Sequence, residues 1–335
     1  MTRKYNSRIF TPTESYVTYY PQIVELADKQ LVDCFWTATE MDVEKDKQDL
    51  LVNMTEAEKH AVSTALKLFV KYELFVGGEH WNGRVRKMFP RPEVQRLCAV
   101  FGMVEEGIHA VFYDKLNQVL GLNVDSFYES YIEDPVLKAR MEFLDEIVNS
   151  SDDLVDLAVF SLVEGAVLFS SFALFKNFQS NGNNLISNTV RGINQSAIDE
   201  GLHQTAGALL YNIALQELQL SQEEVAEIQQ KIKQAAISIL EHEERICEML
   251  CAKGDPRGIN AHQLKEFARS RLNICLADLG IDAMFPVGDN PIAKWFYSGV
   301  QKIQMIDFFT SGVGREYQRG WNEDGFVWKT KKGAN

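Results

Sequence analysis

The sequence predicts an all-α protein: a bundle of long helices over residues 1–310, followed by a Gly-punctuated tail over 311–335. Two observations carry this. Helix starts and stops recur along the chain, and alternating strand patterns of any length are absent. "TEAE" (55–58) is a capping box that opens a helix running to about Trp81. Pro92 and Pro135 stand where a first helical turn begins, which opens helices over 92–120 and 135–149. Further helices follow over 152–179 and 186–216. "SQEE" (221–224) opens one over 222–251, and a last runs over 260–279. The stops are "FPRP" (89–92), "SNGNN" (180–184), "KGDPRG" (253–258) and "FPVGDNP" (285–291). No linker marks a boundary between these helices.

A chain of 335 residues with 46% hydrophobic content has enough apolar side chain for a sizeable core. The net charge of −13 argues against nucleic acid or an anionic membrane as partner, and the basic runs "RVRKMFPRPEVQR" (84–96) and "KTKKG" read as solvated faces. Five cysteines form no CxxC, which fits reduced thiols in a cytoplasmic protein. The N-terminus has no apolar secretion segment. From Leu154 to Phe175 the sequence is nearly all apolar and long enough to span a bilayer. Asp156 and Glu164 interrupt it, and a charge at mid-span is costly in lipid. The segment reads as a helix buried in protein.

The informative stretch is "EEGIHAVFYDKL" (105–116). At about 100° per residue, Glu106, His109 and Tyr113 fall on one stripe of a helix whose other residues are apolar. A lone ExxH is weak evidence, since one arises by chance in about half of chains with this composition. Here the spacing repeats: of six histidines, only His109 and His203 follow a Glu by three, in "EGIH" and "EGLH" (200–203). Between them the apolar helix carries the solitary Glu164. Duplicated Glu-x-x-His with single Glu residues on other helices is how four-helix bundles build a two-metal carboxylate site. Carboxylate oxygens suit iron or manganese and can bridge two cations, and imidazole adds a neutral ligand. Packed together in an apolar core without cations, three carboxylates would repel and protonate. Glu106, His109, Glu164, Glu200 and His203 are therefore the candidate metal ligands. "EHEER" (241–245), His60 and His262 read as solvated surface groups, and no Gly-rich phosphate loop or nucleophile elbow is present.

Over most of its length the chain resembles the small, radical-generating subunit of class I ribonucleotide reductase, a ferritin-like helical bundle. "EEGIHAVFY" (105–113), "VEGAVLF" (163–169) and "DEGLH" (199–203) are similar to that family's metal-ligand segments in order and spacing. The resemblance implies a dinuclear iron or manganese centre, activated by O₂ or a reduced oxygen species, that oxidises Tyr113 to a stored radical. "FWTATEMDV" (35–43) resembles the segment whose Trp starts the relay, which makes Trp36 the candidate. Asp199 matches the carboxylate linking that Trp to a metal-bound His, and Tyr317, in "GREYQRGW", matches the tail Tyr that completes the relay. It further implies a homodimer and a separate large subunit, contacted by the tail, that reduces ribonucleotides; neither nucleic acid nor membrane is a partner. The competing reading is a ferritin-like oxidase or oxygenase acting on a bound organic substrate, in which Trp36, Asp199 and a tail Tyr would have no common purpose. Iron storage gives no reason for Tyr113.

The sequence departs from the family twice. The family's further Asp ligand falls at Gly77, or at Val76 with a slip of one residue, and neither side chain can bind metal. Glu73, Gly77 and His80 share one helical stripe. Glu73 or Glu79 could compensate only with a helix distortion or a bridging water, so the sequence predicts water in place of the Asp, and a gain in metal from an Asp placed at 76 or 77. The aromatic lining near the Tyr is also only partly kept, with Phe172 present and Leu168 in the intervening turn.

Overall fold

The computed structural model describes residues 7–297 apart from 151 and 181. Tyr317 and the 311–335 tail lie outside the described residues. Ten helices frame the fold: α1 (Pro21–Val32), α2 (Glu56–Phe75), α3 (Pro92–Val104), α4 (Ala110–Leu120), α5 (Pro135–Val148), α6 (Asp153–Ala166), α7 (Phe169–Asn177), α8 (Ser187–Leu218), α9 (Gln222–Leu250) and α10 (Ala261–Asp278). Among the described residues there is no strand.

The starts form as their chemistry requires. At α2 the Glu58 amide donates to Thr55 Oγ1 at 3.2 Å, and the Thr55 amide donates to Glu58 Oε2 at 2.8 Å. Ser221 and Glu224 close the same reciprocal pair at α9. Each box satisfies two amides that a helix end leaves open. The start of α8 is capped from far away in sequence: buried Asp46 accepts from the Asn188 and Thr189 amides.

Three features depart from the expected helices. First, α1 stands in a region given no helix by the sequence; it lies along α3 and brings Gln30 to the core. Second, the apolar helix breaks at Val167–Leu168 into α6 and α7. Third, the helices expected over 55–81 and 92–120 each contain a π-type run, Val76–Val85 after α2 and Glu105–His109 between α3 and α4. Such bulges close i→i+5 bonds and change which residues share a face.

The centre is α6 lying along α8, with α2, α3 and α4 across it. Asp153–Asn177 is apolar and long enough to cross a membrane, and it is buried throughout within the protein's own core. Burying each of its Leu, Val and Phe side chains contributes about 1.5–3 kcal/mol. Close crossings set the spacing. A Cβ at Gly192 would lie 2.2 Å from Phe112 Cζ, so α8 passes directly over the ring beside Tyr113 only because position 192 lacks a side chain.

A candidate dinuclear metal centre

Two overlapping groups of buried side chains meet where α2, α6 and α8 face the α3–α4 helix. One is Glu73, Glu105, His109 and Glu200; the other is Glu105, Glu164, Glu200 and His203. Within each group one ligand atom from every residue lies within 4.8 Å of the others. Glu105 and Glu200 belong to both, the arrangement two cations need to share bridging carboxylates.

Both imidazoles are aimed the same way. His109 Nδ1 faces Glu105 at 3.1 Å and Glu200 at 3.2 Å, while its Nε2 lies 3.0 Å from Asp199 Oδ2. His203 Nδ1 faces Glu105 at 2.6 Å, and its Nε2 lies 3.2 Å from Gln30 Oε1. Each ring thus turns one nitrogen into the cluster and anchors the other outside it, as metal-ligating histidines do. Gln30 joins the two anchors, since its Nε2 donates to Asp199 Oδ1 at 2.9 Å.

The donor set fits a pair of divalent cations by its unsatisfied atoms and by its charge. Both oxygens of Glu73, both of Glu200, Glu105 Oε1, Glu164 Oε2 and His203 Nδ1 are buried and face one another rather than any donor outside the cluster. Carboxylates crowded together in this way are costly to bury without cations to neutralise them. Burial, and then the neighbouring Glu105, push the Glu73 carboxyl well above its usual range; burial and Glu200 do the same to Glu164. Burial is the largest single influence and opposes the charged form of both imidazoles, but Glu105 with Asp199 and Glu200 at His109, and Glu105 with Glu200 at His203, together outweigh it, raising His109 well above 6.5 and His203 to about 9. Glu105 itself, pushed up by burial, is held well below 4.5 by His203, by a hydrogen bond with Glu73 and by His109. Glu73, Glu105, Glu164 and Glu200 are four carboxylates, whose combined charge two divalent cations would offset.

Four of the five ligands expected from sequence, His109, Glu164, Glu200 and His203, come together. Glu106 does not: it is exposed, and Glu105 takes its place. The π-type turn at Glu105–His109 is the reason, because adding a residue to the turn puts i and i+4, rather than i and i+3, on one face. On the side of the missing Asp, Glu73 brings a carboxylate into the cluster from the last turn of α2. Gly77 has no room for an acid. A Cβ there would lie 2.8 Å from Glu106 Cγ and 3.0 Å from Glu105 Cβ, so an Asp at 77 would push the helices apart. Gln30, Glu73, Glu105 and Trp81 are the participants that motif spacing does not identify. The doubled acid of "EEGIH" is the available signal for Glu105.

Tyr113 is fully buried, with the buried Ser196 hydroxyl beside its own. Burial, with Glu73 next, pushes the phenol well above 10. Phe69 meets the ring edge-on at 4.6 Å and Phe112 lies at 5.2 Å, while Phe69 in turn packs on Phe172 and Phe175. The lining is therefore aromatic despite Leu168, because α2 contributes Phe69. Trp36, 1% exposed, donates its Nε1–H to Asp199 Oδ2 at 2.8 Å. Trp36, Asp199 and His109 thus form one continuous hydrogen-bonded path.

Residues 15–291 match the family model described as ribonucleotide reductase, small chain. A probable ribonucleoside-diphosphate reductase small subunit of Invertebrate iridescent virus 3 is 24% identical over 335 residues, covering 86% of the viral protein and 88% of this one. The ribonucleoside-diphosphate reductase small subunit of Dictyostelium discoideum is 25% identical over 304 residues, covering 84% of that protein and 90% of this one. The solved structure of Streptococcus sanguinis dimanganese(II)-NrdF superposes with a TM-score of 0.73 at 20% identity, covering 98% of its own length and 85% of the present one. A putative class I ribonucleotide reductase from Bacillus halodurans gives 0.74 at 20% identity, covering 99% and 83% in the same order. These structures share the all-α, ferritin-like fold.

Proposed function

The chain belongs to the ribonucleotide reductase small-chain family, and from that membership we propose that it is the radical-generating subunit of a ribonucleoside-diphosphate reductase. The observation that carries this reading is the combination of a sealed phenol, Tyr113, with a hydrogen-bonded path from His109 through Asp199 to Trp36 beside one carboxylate cluster. An oxidase acting on a bound organic substrate has no use for that path.

Glu73, Glu105, His109 and Glu200 would hold one cation, and Glu105, Glu164, Glu200 and His203 the other, iron or manganese by the donor chemistry. When bound and activated by O₂ or a reduced oxygen species, the pair supplies the oxidising equivalent that Tyr113 stores as a radical. The protein's own residues do the rest. Phe69, Phe112 and Phe172 exclude water and dissolved reductants from the phenol. Asp199 orients the His109 ring and holds the Trp36 N–H, so an electron leaving Trp36 can be accompanied by movement of that proton onto Oδ2. Phe35, next in sequence, is half exposed, so the path ends close to the surface. There a separate large subunit would receive the equivalent, with Tyr317 as the tail residue of the relay. The working form would be a homodimer in the cytoplasm, with the 311–335 tail contacting the large subunit.

The test is reconstitution of purified protein with Fe(II) or Mn(II) and the matching oxidant. Two metals per polypeptide and a tyrosyl radical signal that Tyr113→Phe removes are expected. A wild-type protein that takes up no metal would overturn the reading.

A further inference from the structure

Trp81 stands beside His203, as Trp36 stands beside His109. It is fully buried, and its Nε1–H donates to Glu164 Oε1 at 2.6 Å. The other oxygen, Oε2, is buried and has no hydrogen-bond partner. The ring is fixed by its neighbours: Phe101 meets it edge-on at 5.0 Å and 85°, and Phe101 in turn lies 4.2 Å from His203. Glu164 therefore cannot rotate freely, and its two oxygens have different jobs.

From this geometry we propose that Trp81 is a positioning residue that holds Glu164 to one-oxygen ligation. The inference rests on the metal reading of the same site and adds how one ligand is used. A carboxylate can bind a cation through one oxygen or both, and can change between them as the cation's needs change. The indole N–H takes one lone pair of Oε1 and fixes the carboxylate plane, which disfavours Oε1 joining Oε2 on a cation held by Glu164 and His203. One-oxygen ligation would leave a coordination position open on this side of the site, the condition for a small oxidant or water to enter. The same helix segment that gives Glu73 to one half of the cluster gives Trp81 to the other. Glu73 ends α2, and the π-type run Val76–Val85 turns Trp81 inward. A continuous α-helix would place a residue eight positions after Glu73 about 80° around the axis from it. The π-type run thus serves both halves at once.

The experiment loads the full-length protein with Co(II) and compares wild type with two variants. Trp81→Phe removes the N–H while keeping an aromatic ring. Replacement of Trp81 by benzothienylalanine keeps the bicyclic shape and loses only the donor, so it separates the hydrogen bond from packing. In wild type two Co(II) bind, and the visible absorbance per metal reports the coordination number, since six-coordinate Co(II) absorbs more weakly than four- or five-coordinate. Both variants should bind Co(II) with a loss of visible absorbance at one of the two sites, because Oε1 becomes free to join Oε2 on the metal. An absorbance spectrum identical to wild type in the benzothienylalanine protein, with two Co(II) bound, overturns the proposal while leaving the metal reading intact. A wild-type protein that binds no Co(II) overturns both.

Discussion

Trp36 and His109 converge on a single oxygen: Asp199 Oδ2 lies 2.8 Å from the indole nitrogen and 3.0 Å from His109 Nε2. The second oxygen of Asp199 is held by Gln30, which also anchors His203. One buried carboxylate therefore joins both imidazoles of the cluster to Trp36. This predicts a separation of two functions. Asp199→Ala should still form a Tyr113 radical, because Glu105 and Glu200 continue to orient the His109 ring from the cluster side. Nucleotide reduction with the large subunit should fall by about 100-fold or more, in line with the loss of a group that must transfer a proton in step. Radical quantity by EPR and turnover, measured on one preparation, check it. Turnover that follows radical content would place the exit elsewhere.

Tyr113→Phe should leave fold and metal content unchanged, since it keeps the buried ring and removes one oxygen. Losing the hydroxyl beside Ser196 is expected to change stability by no more than about 1 kcal/mol. The radical signal and reduction should both disappear. Thermal unfolding and EPR of the loaded variant read the two outcomes separately, and full nucleotide reduction by the variant would show that the oxidant is stored elsewhere.

The assignment of acids is open to a direct comparison. Glu73→Gln and Glu105→Gln each remove an anionic donor from inside the cluster, and should lower metal affinity by at least about 10-fold, Glu105 more because it serves both groups. Glu106→Gln, on an exposed side chain, should leave stoichiometry and affinity unchanged. Metal content after dialysis against a weak chelator would show the order. A Glu106→Gln protein as depleted as Glu105→Gln would mean that the turn at 105–109 winds as a regular α-helix.

That comparison also marks where sequence reading stops. Most helix starts, the buried apolar segment and the meeting of His109, Glu164, Glu200 and His203 follow from residue type and spacing, because caps, prolines and a 3.6-residue period act locally. That Glu105 rather than Glu106 faces the cluster depends on the π-type turn at Glu105–His109, and a second such turn follows Glu73. Those turns extend the helical repeat by one residue, and nothing in the local residue types requires them. Gly77 gives the wrong impression for a related reason. Aligned by family it is a lost ligand, but in the fold it is the point where two helices approach too closely for a side chain. Gln30 lies on α1, a short amphipathic helix opened by Pro21, and its importance arises only from the partners that α1 brings to it.

Asp156 offers a test on stability that does not involve the metal site. Its carboxylate is completely buried in α6, neither oxygen has a hydrogen bond, and its ion-pair partner, Arg84 Nε, is 3.4 Å away. Arg84 also binds Asp153 and the Val148 carbonyl, so its charge is already committed. Burial is the dominant influence, and against the opposing pull of Arg84 it raises the Asp156 carboxyl from 3.8 to about 7. With the folded value above the unfolded one, the group favours folding fully below pH 3.8 and that contribution is lost as pH rises through about 7. Above pH 7 the protein carries a buried charge that the unfolded state hydrates freely. Asp156→Asn keeps the shape and removes the charge. Three pH units correspond to about 4 kcal/mol as an upper limit, and the weakened tie to Arg84 takes back part of it. The variant should therefore be more stable than wild type by roughly 1–3 kcal/mol at pH 8, and the gain should shrink toward zero near pH 4. Denaturant unfolding of metal-free protein at both pH values measures the difference. A variant less stable than wild type at pH 8 would show that the Arg84 pair outweighs the cost of burying the charge.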